Sequence, residues 1–148
     1  MACELCEHQL TPAWPLVWQD AQLRVVRVLD APEFPGFYRV IWNAHVAEFS
    51  DLSVAQRQHC MAVVAEVEAL LRAALGPTKV NLAALGNMVP HLHWHVIARF
   101  DWDSHFPQPI WGQRQRTPTP SALERLAQPL AGLDERLRAA LEAAFPSR

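Results

Sequence analysis

A chain of 148 residues, 51% apolar, 19% charged and 9% aromatic, has the composition of a core-forming protein and not of a disordered segment. Its net charge is −2, its arginines are scattered and Lys79 is its only lysine. That excludes a general electrostatic grip on DNA or RNA, though not a local site for a small phosphorylated ligand.

No stretch approaches the roughly 20 apolar residues that span a bilayer. The start, MACELCEHQL, has neither the basic n-region nor the apolar h-region of a signal peptide. Three cysteines are an odd count, so no disulfide framework is expected, and a reducing cytoplasm is. Cys3-x-x-Cys6 is half of a tetrahedral metal site; a redox pair or two free thiols fit the same spacing.

Leu23–Leu29 is short, apolar and rich in valine, which predicts a strand. DAPEFPG carries the punctuation of a turn, and a second strand is expected over Gly36–Trp42. Ser53 and Gln56 then form a capping box, Met61, Val64, Glu68 and Leu71 follow at helical spacing, and Gly76-Pro77 stops the run. The pattern predicts a helix over Ser53–Leu75 with Cys60 packed on it. Strands are expected over Lys79–Leu85 and His91–Ala98, joined by GNMVP. FPQPIWGQRQRTPTP holds four of the twelve prolines and predicts an irregular, exposed connection. From Ser121 on, Leu123, Leu126, Leu130, Leu133, Leu137 and Leu141 predict an amphipathic helix, or two broken near Pro129 and Gly132. The order implies an α+β fold with an antiparallel sheet.

HLHWHVI, His91 to Ile97, carries the chemistry. A strand alternates its side chains, so His91, His93 and His95 are expected on one face, roughly 6–7 Å apart. Leu92, Trp94 and Val96 then face a core. Neutral imidazoles are nucleophiles and metal ligands, and close neighbours disfavour each other's protonation. The row suits attack on phosphorus or coordination of a metal.

The same segment matches His-φ-His-φ-His-φ-φ, with φ apolar, and the chain resembles the histidine triad (HIT) superfamily of nucleotide hydrolases and transferases. It is most similar to the bacterial, diadenosine-polyphosphate-hydrolase-like branch. Other pieces agree in order over about residues 1–110: the Cys-x-x-Cys start, Asp30 after a strand, GFYRVIWNAH, the long helix and a strand bearing Asn81. The resemblance implies an HIT-like fold of about five strands and one long helix in residues 1–110. Residues 111–148 would be a Pro-rich connection and a helical extension. It also implies a homodimer.

In mechanism, the resemblance implies that His93 attacks the α-phosphate of a nucleotide conjugate, with purine the expected base. The conjugate would be a dinucleotide polyphosphate or a nucleoside phosphoramidate, and the intermediate a nucleotidyl-histidine. A backbone carbonyl would hold the tautomer of His93. His95 would contact phosphate oxygens, and His91 would orient its neighbours or hold a metal. Asp30 would bind ribose, with Asn81 and Asn87 near the phosphates. No cofactor is required for catalysis, but Cys3, Cys6, His45 and His91 would complete a structural zinc site.

The chain departs from the family pattern at Phe37, Trp42, Asn87, Met88 and Ala98, where histidine, proline, glutamine, a small hydroxyl residue and proline are usual. Asn87 and Met88 put the leaving group in question. His8, His59 and His105 match nothing and are expected on the surface. Two other readings stay open: a nucleotide-binding sensor or scaffold with little turnover, and a metal-dependent hydrolase built on the His-x-His pair.

Overall fold

The computed structural model describes residues 3–7 and 13–146; His8 lies outside them. A short helix α1 (Glu4–Glu7) precedes strands β1 (Leu16–Gln19), β2 (Leu23–Arg27) and β3 (Phe37–Trp42). Helix α2 (Val54–Leu75), strands β4 (Lys79–Ala83) and β5 (His93–Arg99) and helix α3 (Leu130–Ala144) follow. The five strands form one antiparallel sheet in the order β1-β2-β3-β5-β4. This is the α+β architecture expected.

Helix α2 begins and ends where its caps dictate. Ser53 Oγ accepts from the Gln56 amide at 3.2 Å and Gln56 Oε1 accepts from the Ser53 amide at 2.8 Å. Gly76 ends the helix at φ 57°, a left-handed conformation that only glycine adopts without strain. The buried stripe is Cys60, Val63, Val64, Val67, Leu71 and Leu75. Met61 and Glu68, expected on it, are only half-buried, because the wider stripe centred on Val63 and Val67 meets the sheet.

Pairing fixes the two faces of the sheet. Ile41 lies opposite His93, Arg39 opposite His95 and Phe37 opposite Ile97. Tyr38, Val40, Trp42, Val96 and Ala98 therefore share the other face, where α2 packs in one core with Leu133, Leu137 and Leu141 of α3. These three leucines are fully buried. Asp134 of α3 adds a bond from Arg27 Nε at 2.8 Å and one from the Tyr38 hydroxyl at 2.7 Å. The C-terminal helix is thus built into the sheet's own core. It starts at Leu130 and not at Ser121: Pro129 is its N-cap, and Leu123, ahead of it, is exposed.

The connection after β5 is irregular and mostly exposed, as its prolines imply. Its root is not. His105, expected on the surface, is buried, with Nδ1 2.8 Å from Ser104 Oγ and its ring edge-on to Phe34. The cause is Asp103, which collects the amides of Phe100, His105 and Phe106 and turns the chain inward. His59 is half-exposed and pairs with Asp20 at 2.6 Å.

Candidate active site

Strand β5 starts at His93, two residues later than expected. Pairing with β3 ends at Ile41–His93; beyond it the Leu92 amide bonds to Val46 O at 2.8 Å, and Leu92 O accepts from the Trp42 amide at 3.1 Å. His91 therefore sits on a bend and is fully buried. The three imidazoles do not form one row. His93 and His95 stay together on the strand with ring centroids 4.9 Å apart. His91 turns away to Cys3, Cys6 and His45.

His93 and His95 open onto a cavity of about 520 Å³ that is also walled by Trp14, Arg39, Asn87, Met88 and Trp111. A cavity of about 230 Å³ shares Leu85, Gly86 and His93 with it and reaches His91.

The Nδ1 atom of His93 lies 2.6 Å from the carbonyl oxygen of His91. A carbonyl only accepts, so Nδ1 carries the proton. On a neutral ring Nε2 is then a free lone pair. Burial keeps the ring neutral by lowering its pKa, which outweighs the carbonyl bond; the positive charge of Arg39 adds to it. His95 is pushed down to about 3, first by burial and then by His93 and Arg39. Its Nδ1 is buried without a partner. A bare lone pair there is cheaper than a bare N–H, so the proton belongs on Nε2, where it is a donor.

The HIT domain profile matches residues 16–102, more than half of the chain. The protein belongs to the HIT domain family. A histidine triad protein from Bradyrhizobium japonicum is 27% identical, with a TM-score of 0.66 over 88% of this chain and 90% of that one. A HIT protein from Sinorhizobium meliloti 1021 is 26% identical, with a TM-score of 0.69 over 90% and 94%. A Zn-bound histidine triad family protein from Mycobacterium smegmatis shares the fold at 21% identity and a TM-score of 0.62, over 97% and 98%. No curated protein matches the chain. No helix among the described residues is long and apolar enough to cross a membrane.

At three of the departures from the HIT pattern, Ala98, Phe37 and Trp42, the residue is engaged locally. Ala98 donates its amide to Gly36 O at 2.8 Å, a bond that proline cannot make. Phe37 packs edge-on against His95 with centroids 5.7 Å apart. Trp42 is buried, and its carbonyl takes a 2.6 Å bond from His91 Nε2. Met88 is almost wholly exposed at the cavity rim.

That bond from Nε2 leaves His91 Nδ1 as a lone pair, 3.4 Å from both Cys3 Sγ and Cys6 Sγ. His45 Nδ1 is 3.4 Å from Cys6 Sγ, and all four donors lie within 4.8 Å of one another. A tetrahedral zinc with Zn–S of ~2.3 Å and Zn–N of ~2.0 Å separates its ligands by about 3.3–3.8 Å. The donor set and spacing fit that ion.

The three expected nucleotide contacts are dispersed. Asn87 is exposed on the cavity wall. Asp30 does not line the cavity; its carboxylate accepts at 3.3 Å from the indole of Trp14, which does. Asn81 Oδ1 is held by Arg99 Nη1 at 2.9 Å. Arg39 and Trp14 went unnoticed in the sequence. Alternation on β3 relative to β5 was the one signal for Arg39, and it needed the register.

Proposed function

We propose that this HIT protein is a nucleotide hydrolase or nucleotidyl transferase acting at the α-phosphate of a nucleotide conjugate, through a nucleotidyl-His93 intermediate. The observation that carries the reading is the 2.6 Å bond from His93 Nδ1 to the His91 carbonyl, which leaves Nε2 unprotonated in the cavity. In the first step the Nε2 lone pair forms a bond to phosphorus. The bond from phosphorus to the leaving group breaks, and the leaving group departs with the electron pair and takes up a proton. Water then attacks the same phosphorus and gives up a proton that replaces the one the leaving group drew from solvent. The P–N bond breaks with its electron pair returning to Nε2, and neutral His93 is restored as a nucleoside monophosphate is released. His95 donates to the phosphoryl oxygens as charge builds on them.

Asp30, Asn81 and Asn87 are the proposed nucleotide contacts. Asn87 lines the cavity, Asp30 stands behind it through its bond to Trp14, and Asn81 is set back from it, bonded to Arg99. Dinucleotide polyphosphates, as in the diadenosine-polyphosphate-hydrolase-like branch, and nucleoside phosphoramidates are the candidate substrates. Cys3, Cys6, His45 and His91 are the proposed ligands of a structural zinc that pins α1 to the sheet. Four protein donors leave no open position for a substrate, which argues against a hydrolase working through this metal. We infer a homodimer as well: β4 is an open sheet edge carrying the exposed Leu82, followed by the exposed Leu85.

The test is to trap the intermediate. The protein is mixed with diadenosine tetraphosphate or adenosine 5′-phosphoramidate, quenched and mapped by mass spectrometry. An adenylyl group on His93, and none in His93→Ala, is expected. Label on another residue, or undiminished hydrolysis by the variant, refutes the mechanism. Binding without turnover supports the sensor reading instead.

A further inference from the structure

Three arginines stand on the site-side face of the sheet, and two of them donate to named acceptors. Arg24 gives Nη1 to Asn43 at 3.1 Å and Nη2 to the Leu5 carbonyl at 2.6 Å. Arg99 bonds to Asp103, Asn81 and the Gln108 carbonyl. The Arg39 guanidinium makes no hydrogen bond or ion pair with any described residue; its Nε, like that of Arg24, is buried without a partner. What holds it are rings. Its guanidinium carbon lies 4.6 Å from the Trp14 centroid and 5.7 Å from that of Phe37.

Ring contacts use the flat faces of a guanidinium. The N–H groups lie in its plane, and the four on Nη1 and Nη2 are left to donate. Arg39 lines the 520 Å³ cavity, and apart from Glu4 no other carboxylate or cation lines it among the described residues. Glu4 and Asp30 lie near enough to act on Arg39 electrostatically, but neither reaches ion-pair distance. A half-buried cation without a counterion is costly to keep, and apolar side chains in its place are commonly neutral or stabilising. The position of the group matters too. Arg39 stands on β3 directly opposite His95, with its guanidinium over the ring of Trp14 on the N-terminal segment, so it sits beside the imidazole pair and not on the strand that carries it.

We propose that Arg39 is an anion-binding, specificity-determining residue. It takes a second ionised phosphate, or a similar oxyanion, on the substrate, separate from the phosphoryl group that His93 attacks. The proposal rests on the nucleotidyl-transfer reading of this cavity. It selects among that reading's substrates: nucleotides with at least two ionised groups, such as polyphosphates, over phosphoramidates with a single charged phosphoryl. The bond between Arg39 and the oxyanion is a planar, two-point one.

The experiment is calorimetric titration of the full chain with three unreactive ligands: AMP, α,β-methylene-ADP and adenosine 3′,5′-bisphosphate. At least one bisphosphate is expected to bind about 10- to 100-fold more tightly than AMP, the range of one or two charge-assisted bonds. Arg39→Met, which keeps the stem against Trp14, should erase that preference, hold AMP affinity within about threefold, and melt no lower than the parent. Equal binding of all three ligands by the parent overturns the proposal. So does a preference that survives in Arg39→Met, an equal loss for AMP, or a variant that melts well below the parent. Should Arg39→Met not fold, Arg39→Lys keeps the charge without the planar fork. Its preference should drop by about 10-fold, and full retention refutes the assignment. These are equilibrium measurements on unreactive ligands. A failed adenylyl trap would therefore sink the reaction proposed above and leave this result standing.

Discussion

Replacing Asp103 by alanine tests how the site is held in place. Asp103 and Arg99 are each 2% exposed, and the carboxylate accepts from Arg99 Nε at 2.8 Å and Nη2 at 3.0 Å. It also accepts the amides of Phe100 at 3.1 Å, His105 at 3.0 Å and Phe106 at 2.8 Å. Asp103→Ala leaves the buried Arg99 guanidinium without its counterion and three amides without their acceptor. Removing one partner of a buried pair costs about 3–5 kcal/mol, a large part of the roughly 5–15 kcal/mol that holds a domain folded. With a urea dependence of about 2 kcal/mol per molar, the unfolding midpoint should drop by about 2 M.

The pH dependence follows the same carboxylate. Burial by itself would raise its pKa, but the bonds from Arg99 and the three amides outweigh it and hold the value below 3.8. The folded protein therefore binds this proton less readily than the unfolded chain does. The contribution is complete above the ordinary carboxylate range and is lost as pH falls through the depressed value. Urea melts of parent and variant at pH 7 and at pH 3 measure it, and the gap should be narrower at pH 3. A loss below about 1 kcal/mol at pH 7, the level of an exposed ion pair, would show that Asp103 does not hold the loop together.

Leu137→Ala, at a fully buried position on α3, should cost about 2–5 kcal/mol in urea melts. A cost under about 1 kcal/mol would mean that α3 is an appendage to the domain, not part of its core. Native mass spectrometry in zinc-containing buffer should find one zinc per chain, absent from Cys6→Ala. Stripping the metal should lower the melting temperature by about 4–8 °C, equivalent to about 2 kcal/mol in a chain of this size. A metal-free mass for the parent would dismiss the zinc assignment.

Much of this protein is legible along the chain because the forces that form its elements are local. Ser53 and Gln56 cap α2 across one turn, Gly76 stops it with its own backbone, and the valines of β2 mark a strand without help from elsewhere. The period of two in His93-Trp94-His95-Val96 places two imidazoles on one face whatever lies opposite. The sequence by itself also settles the family, because the triad and its flanking pieces keep a fixed order along the chain.

Distance along the chain is where that reading stops. His91 leaves the row because Leu92 bonds to Val46 and Trp42, and its ring meets two cysteines 88 and 85 residues away. His105 is buried because Asp103 gathers amides on both sides of it. Arg39 looks like any charged residue on a strand until β3 pairs with β5 and the segment with Trp14 covers it. Which imidazoles open onto the cavity, which one meets the cysteines and which guanidinium is left without a carboxylate are decided by register and packing. Those depend on contacts between residues far apart in sequence, and a local pattern carries no energy that depends on them.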